Sequence, residues 1–454
     1  MKKGFRFVVL VIVSMLVAVS ASGCQQTAPP VTSAGTQSAS AASAENNGGN
    51  DQAADGSALS GDCEVWTWSN EESEAPMNEA FRLAHPNINL FLTSFPKDDM
   101  PMKIQTTLAS GGNMPQIILM GMEHRGKLLT LDCWEDLSAP PYNLSKDDML
   151  DFLLPVSITP DGKWVCVEGG LPAAGLCYKR DMAIEYLGTE DPDEIASKFK
   201  TWDSMYELGL EIKEKSGGEV YLTGSIQEFG LVIGGQNPEP YVLNEKLNLD
   251  AALAPVFDTL IKFCSAGIIG PMDMWSPEWN ASFSEKTYLF NACAVWFRQI
   301  IEMNAPETSG NWVLAVPPEG GFLYSGASIA IPSAAENKDI SLEYIKWMFL
   351  SEKGAVPLRD DMGGMSAYAQ LYKDENFFSD PNPFFGGQDY VKTFVEKIVP
   401  NMAKTRPVHQ YDIEISDAYN AALMAIKEAD GNITSRELIE TMTADILNKV
   451  PELK

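Results

Sequence analysis

Strand-like and helix-like segments alternate from Val65 to Met120, and this alternation constrains the fold more than any other feature of the chain. A β-branched and aromatic run comes first, a polar cap and a helix follow, and the order then repeats. The five segments are Val65–Trp68, the helix from Ser69 to Leu83, Ile88–Leu92, the helix Met102–Ala109 and Gln116–Met120. Strands alternating with helices predict a doubly wound α/β sheet, which binds ligands at the carboxyl ends of its strands.

The rest of the chain continues this mixture of strands and helices. Helical periodicity and β-branched runs predict helices over 202–215, 249–264, 341–350, 415–429 and 435–449, and strands over 312–318 and 328–332. Roughly 390 residues follow the N-terminal region, a length that favours two or three domains.

The first 23 residues have the pattern of a secretory signal peptide. Three basic residues precede an apolar run over 7–19 that is too short to span a bilayer, and Ala21-Ser22-Gly23-Cys24 follows. Small residues before a cysteine resemble the lipobox of bacterial lipoproteins, although Leu is usual where Ala21 stands. The resemblance implies a lipid on Cys24 and attachment to the outer face of a bacterial cell membrane. The alternative is an ordinary signal peptide in which Cys24 is incidental.

Residues 24–62 have the composition of a disordered tether. Ala, Ser, Gly, Gln and Asn dominate the segment, and it contains no aromatic residue. Such a composition buries too little apolar surface to offset the entropy of ordering the chain.

Charge and cysteine usage exclude several classes of protein. The formal net charge is −29 at pH 7, so the surface repels nucleic acid, and we expect no nucleic-acid partner. The histidines His85, His124 and His409 lie far apart, and the cysteines form no C-x-x-C pair, so the sequence predicts no metal site and no cofactor. We expect free buried thiols, with one disulfide bridge as the alternative, at Cys63, Cys133, Cys166, Cys177, Cys264 and Cys293.

The order of these segments from Val65 to the C-terminus resembles the family 1 extracellular solute-binding proteins, the group that includes maltose-binding proteins. No one motif is specific, and the resemblance depends on their order along the chain. The motifs are Val65–Trp68, His85-Pro86-Asn87-Ile88, the leucine-rich 128–137, the stretch from Asp161 to Asp181, Thr201-Trp202-Asp203, Ala294-Val295-Trp296 and Pro317-Pro318 with 326–332. Two stretches, 168–170 and 291–293, depart from the family pattern.

The resemblance implies two doubly wound α/β lobes joined by a multi-strand hinge, the type II arrangement of periplasmic binding proteins. The expected N-terminal lobe is 63–172 plus 324–352, and the expected C-terminal lobe is 173–323 plus 353–454. The implied function is that of a monomeric carbohydrate-binding component that delivers its ligand to ABC permease subunits in the membrane. Such a protein is not an enzyme.

A sugar cleft needs aromatic rings for the C–H faces of the sugar and polar groups for its hydroxyls. Trp275 and Trp279 stand in a loop-like Pro- and Ser-rich stretch, which favours stacking, with core packing as the alternative. By position in the family pattern, the resemblance adds Trp296 with Arg298, Trp68, Asn70 and Glu71 after the first strand, Glu123 after the third strand, and Tyr324, Arg359 and Tyr411. Helix capping is the alternative for Asn70, a solvated charge for Glu123, and core packing for Trp296.

Three other functions remain as alternatives. Gly121–Leu128 is one residue short of a P-loop and lacks its Ser or Thr, which argues against a nucleotide site. A glycoside hydrolase needs two carboxylates across a sugar, and in so acidic a chain adjacent pairs such as Asp98-Asp99 carry no information. A non-sugar solute such as a polyamine, or a sensory role, is compatible with the same fold.

Overall fold

The computed structural model describes residues 59–374, 376–379 and 381–453. The predicted signal peptide, the lipidation site Cys24 and most of the predicted tether lie outside these residues. The first strand begins at Gly61, so the last two residues of the predicted tether, 61 and 62, belong to it. Among the described residues, no helix is both long and apolar enough to cross a membrane.

The described residues form strands and helices connected by loops and short 3-10 turns. The strands are β1 (Gly61–Thr67), β2 (Ile88–Ser94), β3 (Ile117–Gly121), β4 (Cys166–Glu168), β5 (Ala173–Lys179), β6 (Tyr221–Thr223), β7 (Val242–Leu243), β8 (Lys246–Leu247), β9 (Tyr288–Ala294), β10 (Trp312–Ala315), β11 (Phe322–Leu323), β12 (Ala327–Ala330), β13 (Pro381–Asn382) and β14 (Gln388–Asp389). The helices are α1 (Glu71–Ala84), α2 (Met100–Ser110), α3 (Met122–Leu128), α4 (Arg180–Leu187), α5 (Pro192–Lys198), α6 (Trp202–Lys215), α7 (Ile226–Gln236), α8 (Leu249–Ser265), α9 (Pro277–Ala281), α10 (Phe297–Asn304), α11 (Lys338–Phe349), α12 (Glu352–Asp360), α13 (Tyr390–Thr393), α14 (Asp412–Glu428) and α15 (Ser435–Lys449).

Two mixed sheets organise these elements. The first has the order β2-β1-β3-β12-β4, in which β1 runs parallel to β2 and β3, and β12 runs antiparallel to β3 and β4. The second has the order β10-β5-β9-β6, with β11 paired to β5. We call each sheet, with the helices packed on it, the first and the second lobe.

Alternating side chains of β1 explain why the first sheet is covered on both faces. Cys63 and Val65 belong to one apolar cluster, and Trp66 belongs to a second cluster on the opposite face. A larger cluster surrounds the second sheet and takes in residues of α14 and α15. All six cysteines of the described residues are unpaired thiols, and five of them are buried as expected, whereas Cys264 is half-buried.

The chain passes between the sheets at short connections. It leaves the first sheet after β4, enters the second at β5, and returns between β11 and β12. Helix α12 packs on α1 and α11, so the chain still lies with the first lobe at Asp360, beyond the predicted boundary at 353. The predicted lobe boundaries stay a prediction.

Candidate functional site

A cavity of about 660 Å³ lies where the carboxyl end of β3 meets elements of the second lobe. Strand β3 ends at Gly121 and α3 begins at the next residue, whose N–H donates to Gly326 O at 3.0 Å. Both lobes contribute to the lining. The lining residues include Met122, Glu123, Gln227, Tyr241, Met274, Trp275, Tyr324, Arg406, Val408 and Asp412.

One wall of the cavity is aromatic. Trp275 is 46 % exposed, and its ring lies 6.3 Å from that of Trp296 at an interplanar angle of 14°. Trp296 is half-buried, meets Tyr324 edge-on at 5.0 Å, and donates from Nε1 to Tyr324 O at 3.3 Å. Trp275 and Tyr324 therefore line the cavity, and Trp296 supports them from behind.

The backbone of Trp275 is held in an unusual conformation. Its φ is 69°, in the left-handed region that a bulky aromatic residue rarely adopts. The next residue, Ser276, caps α9 by accepting from Trp279 N–H at 3.1 Å, and Gln227 Oε1 accepts from Met274 N–H at 2.9 Å. These contacts fix the segment on both sides of Trp275 and present its ring to the cavity.

The structure corrects the prediction for Trp279. The segment after Ser276 is the short helix α9, because Pro277 occupies its first turn and Ser276 caps it. Trp279 is completely buried beside Phe283 and donates from Nε1 to the buried carboxylate of Glu228 at 3.2 Å. Its ring packs in the core, where no ligand reaches it.

A buried polar network surrounds that carboxylate. Glu228 accepts from Thr223 Oγ1 at 2.7 Å and from Asn291 Nδ2 at 2.9 Å, and burial raises its pKa. Nearby, Lys179 donates to the carbonyl oxygens of Ser282 and Glu285, and burial lowers the pKa of its ammonium to about 7. Trp279 connects the carboxylate to the aromatic wall, because its ring lies 5.2 Å from that of Trp275.

Glu123 and Trp68 come together on the first lobe. Glu123 lies in the first turn of α3 and forms an ion pair with Lys97. The same ammonium lies 5.1 Å from the centre of the Trp68 ring. Of these residues Glu123 lines the cavity, whereas Lys97 and Trp68 do not.

Asn70 and Glu71 have structural partners on α1. Asn70 forms a capping box, in which its Oδ1 accepts from Ser73 N–H at 2.8 Å and its own N–H donates to Ser73 Oγ at 3.3 Å. Glu71 pairs with Arg82 at 2.6 Å on the exposed side of the helix. Both residues lie outside the cavity lining.

Arg298, Arg359 and Tyr411 also lie outside the lining. The Arg298 guanidinium is 8 % exposed and 5.8 Å from the centre of the Tyr390 ring. Arg359 donates to Asp360 Oδ1 and to Phe377 O, both at 2.6 Å. Tyr411 donates to Glu452 at 2.8 Å, a bond that raises the pKa of the tyrosine to about 12.

Three of the lining residues that were not predicted form one group on the second lobe. The Arg406 guanidinium lies 3.6 Å from the centre of the Tyr241 ring, and its Nη1 donates to Asp412 Oδ1 at 3.2 Å. Asp412 begins α14 and accepts from His409 N–H at 2.8 Å through its other oxygen. The prediction of Tyr411 identified the right segment, but its neighbour Asp412 is the one that lines the cavity.

The charges on the cavity wall are balanced. Within the described part of the chain, its charged lining residues are Glu123, Arg406 and Asp412. Asp412 is paired with Arg406, and Glu123 with Lys97 just behind it. The arrangement offers aromatic faces and hydrogen-bonding groups to a neutral polar ligand.

Comparison with known proteins identifies the type of molecule to which this cavity belongs. A curated lactose-binding protein of Rhizobium radiobacter is 25 % identical over 379 residues, which is 75 % of this chain and 83 % of the relative. A crystal structure of a family 1 extracellular solute-binding protein superposes with a TM-score of 0.77 at 21 % identity, covering 87 % of this chain and 100 % of that one. The sugar-binding protein MalE of Xanthomonas citri gives 0.70 at 17 % identity, covering 86 % and 98 %.

The two structural likenesses confirm the predicted fold class of two α/β lobes of the periplasmic-binding-protein type. The family model for bacterial extracellular solute-binding proteins matches residues 77–385, more than half of the sequence. The chain therefore belongs to the bacterial extracellular solute-binding proteins.

Proposed function

We propose that this protein is the substrate-binding lipoprotein of an ABC importer, and that it captures a short neutral oligosaccharide between its lobes. The observation that carries the proposal is the cavity itself, whose lining combines an exposed tryptophan with polar groups whose charges are already paired. Its volume lies within the ~300–1,000 Å³ range typical of small-molecule sites. The names of the lactose-binding relative and of the sugar-binding neighbour support the same substrate class.

Capture would work by lobe closure. Trp275 stacks on the C–H face of a sugar ring, while Gln227, Arg406 and Asp412 from the second lobe and Glu123 from the first reach its hydroxyls. A ligand that contacts both lobes stabilises the closed arrangement, because it binds that arrangement better than an open one. The closed protein would then dock on the permease subunits, with a lipid on Cys24 holding it at the membrane. The protein itself releases the sugar unchanged.

Thermal unfolding of the purified protein against a panel of ligands tests this proposal. The panel contains lactose, maltose, raffinose, single hexoses, putrescine and spermidine. A ligand that binds only the native state raises the unfolding midpoint by an amount that grows with its concentration. A rise with one class of oligosaccharide supports the proposal. A rise with the polyamines alone, or hydrolysis of the sugar in the same sample, contradicts it.

A further inference from the structure

The backbones of the two lobes meet where Gly126 of α3 faces His409, the residue next to the lining residue Val408. A Cβ atom placed on Gly126 would lie 2.0 Å from His409 O and 2.5 Å from His409 C. Carbon and oxygen atoms that are not bonded do not approach so closely, and the obstructing atoms are backbone atoms that cannot turn aside. Among the standard residues, only glycine permits this contact.

The segment around His409 belongs to the second lobe but docks on the first. It leads directly into α14, whose apolar face packs in the core of the second lobe. The preceding side chain, Val408, packs against the first-lobe cluster that contains Leu128 and Trp134. Helices α3 and α14 also pack on each other. The contact therefore joins the two lobes.

Both partners in the contact are rigidly held. The His409 carbonyl accepts from Asp412 N–H at 3.0 Å, and the His409 N–H donates to the Asp412 carboxylate at 2.8 Å. On the other side, Arg125 anchors α3 through a buried ion pair with Glu168. Because each segment is anchored within its own lobe, an added atom displaces one lobe relative to the other more readily than it distorts either segment.

The same two segments carry lining residues of the cavity, one set from each lobe. Glu123 lies about one helical turn before Gly126 on α3. Arg406 and Asp412 lie three residues before and three residues after His409. The distance between the backbones of Gly126 and His409 thus fixes how far Glu123 lies from the Arg406–Asp412 pair.

We infer that Gly126 is a positioning residue for ligand capture, because its missing side chain sets how closely the lobes approach and hence the width of the cavity. The inference rests on the proposed function, since it concerns the same site. It adds a determinant of affinity that touches no ligand.

Replacing Gly126 by alanine tests the inference. The added methyl group forces the His409 segment away by roughly 1 Å or more before contact distances become normal. A sugar that bridges the lobes then loses at least one charge-assisted hydrogen bond, which lowers its affinity on the order of tenfold. Small-angle scattering of the ligand-saturated protein should give a larger radius of gyration for G126A than for the wild type.

Gly112→Ala is the matched control. It adds the same methyl group to the same lobe, where the nearest atom is the Thr107 methyl group at 3.2 Å, far from the cavity lining. We expect its sugar affinity and its saturated radius of gyration to equal those of the wild type. Unchanged affinity and unchanged closure in G126A would overturn the inference.

Hydrogen exchange on the unmodified full-length chain gives a second test that needs no variant to fold. Saturating sugar should protect the amides of 126–129 and of 408–411 together, whereas the amides around Gly112 should not change. Protection of neither segment would also overturn the inference. If no saccharide of the panel binds the wild type, the proposed function fails and the inference fails with it, an outcome distinct from normal binding in G126A.

Discussion

Arg125 and Glu168 form an ion pair that is completely shielded from solvent, with Nη1 2.5 Å from Oε1 and Nη2 3.2 Å from Oε2. Ser328 Oγ donates to the same carboxylate at 2.9 Å. Arg125 lies on α3, Glu168 ends β4, and Ser328 belongs to β12. The pair therefore ties the helix that carries Glu123 to the two strands that border the crossings between the lobes.

Breaking this pair on one side should be costly. Arg125→Met leaves a buried carboxylate without its cation, so we expect the free energy of unfolding to fall by about 3–5 kcal/mol, measured by urea denaturation. Arg82→Met is the matched control, because it breaks the exposed pair with Glu71 and should cost under about 1 kcal/mol. Equal losses in the two variants would contradict the assigned role of the buried pair.

The tryptophans Trp275 and Trp279 should separate binding from stability. Trp275→Ala removes an exposed ring, so we expect roughly a tenfold loss of sugar affinity and little change in stability. Trp279→Ala empties a core position and should cost about 3–5 kcal/mol in the free energy of unfolding. Titration calorimetry and urea denaturation measure the two effects, and Phe91→Ala, an exposed ring outside the cavity lining, controls for aromatic loss in general. Normal affinity in Trp275→Ala would remove the stacking role.

Arg406 should decide which charge the cavity accepts. Arg406→Met leaves the Asp412 carboxylate unpaired on the cavity wall, so we expect sugar affinity to fall and spermidine binding to increase. The double variant Arg406→Met/Asp412→Asn restores a neutral wall and should bind spermidine no better than the wild type does. Titration calorimetry with both ligands provides the measurement. If the single variant gains no affinity for spermidine, paired charge is not what selects a neutral ligand.

Lys179 should make stability depend on pH in the alkaline range. Burial lowers its pKa from the ordinary 10.5 to about 7 in the folded protein. Between these values the unfolded chain binds more protons at this site than the folded chain does, so the contribution of Lys179 to stability rises with pH. Below pH 7 the lysine is charged in both states, and its unfavourable contribution is constant.

The comparison of wild type with Lys179→Met isolates this effect. The stability of the wild type relative to the variant should increase by a few kcal/mol from pH 7 to pH 10, followed by urea denaturation at each pH. The lost bonds to Ser282 and Glu285 affect the variant equally at every pH, so they do not change the slope. Parallel profiles would show that the buried lysine does not titrate in this range.

Asn70 should matter for α1 and not for the ligand. Asn70→Ala removes the capping box, so we expect a loss of about 1 kcal/mol in thermal or urea unfolding. Sugar affinity should stay within the error of titration calorimetry, because the residue lies outside the cavity lining. A clear loss of sugar affinity would show instead that Asn70 contributes to ligand binding.

Much of the secondary structure is readable from the sequence, because local signals mark it. The predicted bounds of α6 and α15 agree with the structure at both ends, and in each case a capping-box threonine, Thr201 or Thr434, precedes the helix. The predicted α1 is confirmed for the same reason. These features depend on neighbours within a few residues, so the sequence alone contains the information.

The site was harder to predict because it depends on side-chain direction across distant segments. The stretch before Trp279 reads as a loop from its Pro and Ser content, yet Ser276 and Pro277 there start a helix that turns Trp279 into the core. Arg406 meets Tyr241 only because the β7–β8 hairpin and the segment before α14 pack together in three dimensions. No local sequence pattern predicts such a long-range contact.

The position of β12 has a consequence for how the protein reaches its native state. This strand joins β3 to β4 in the first sheet, yet it is made after the whole of the second sheet. The apolar core of the second lobe in turn includes residues of α14 and α15, which lie near the C-terminus. A growing chain can complete neither lobe early, since each depends on residues that follow the other, and such long-range pairings form slowly. Because of this order of segments, neither lobe can complete its fold until nearly the whole chain has been synthesised.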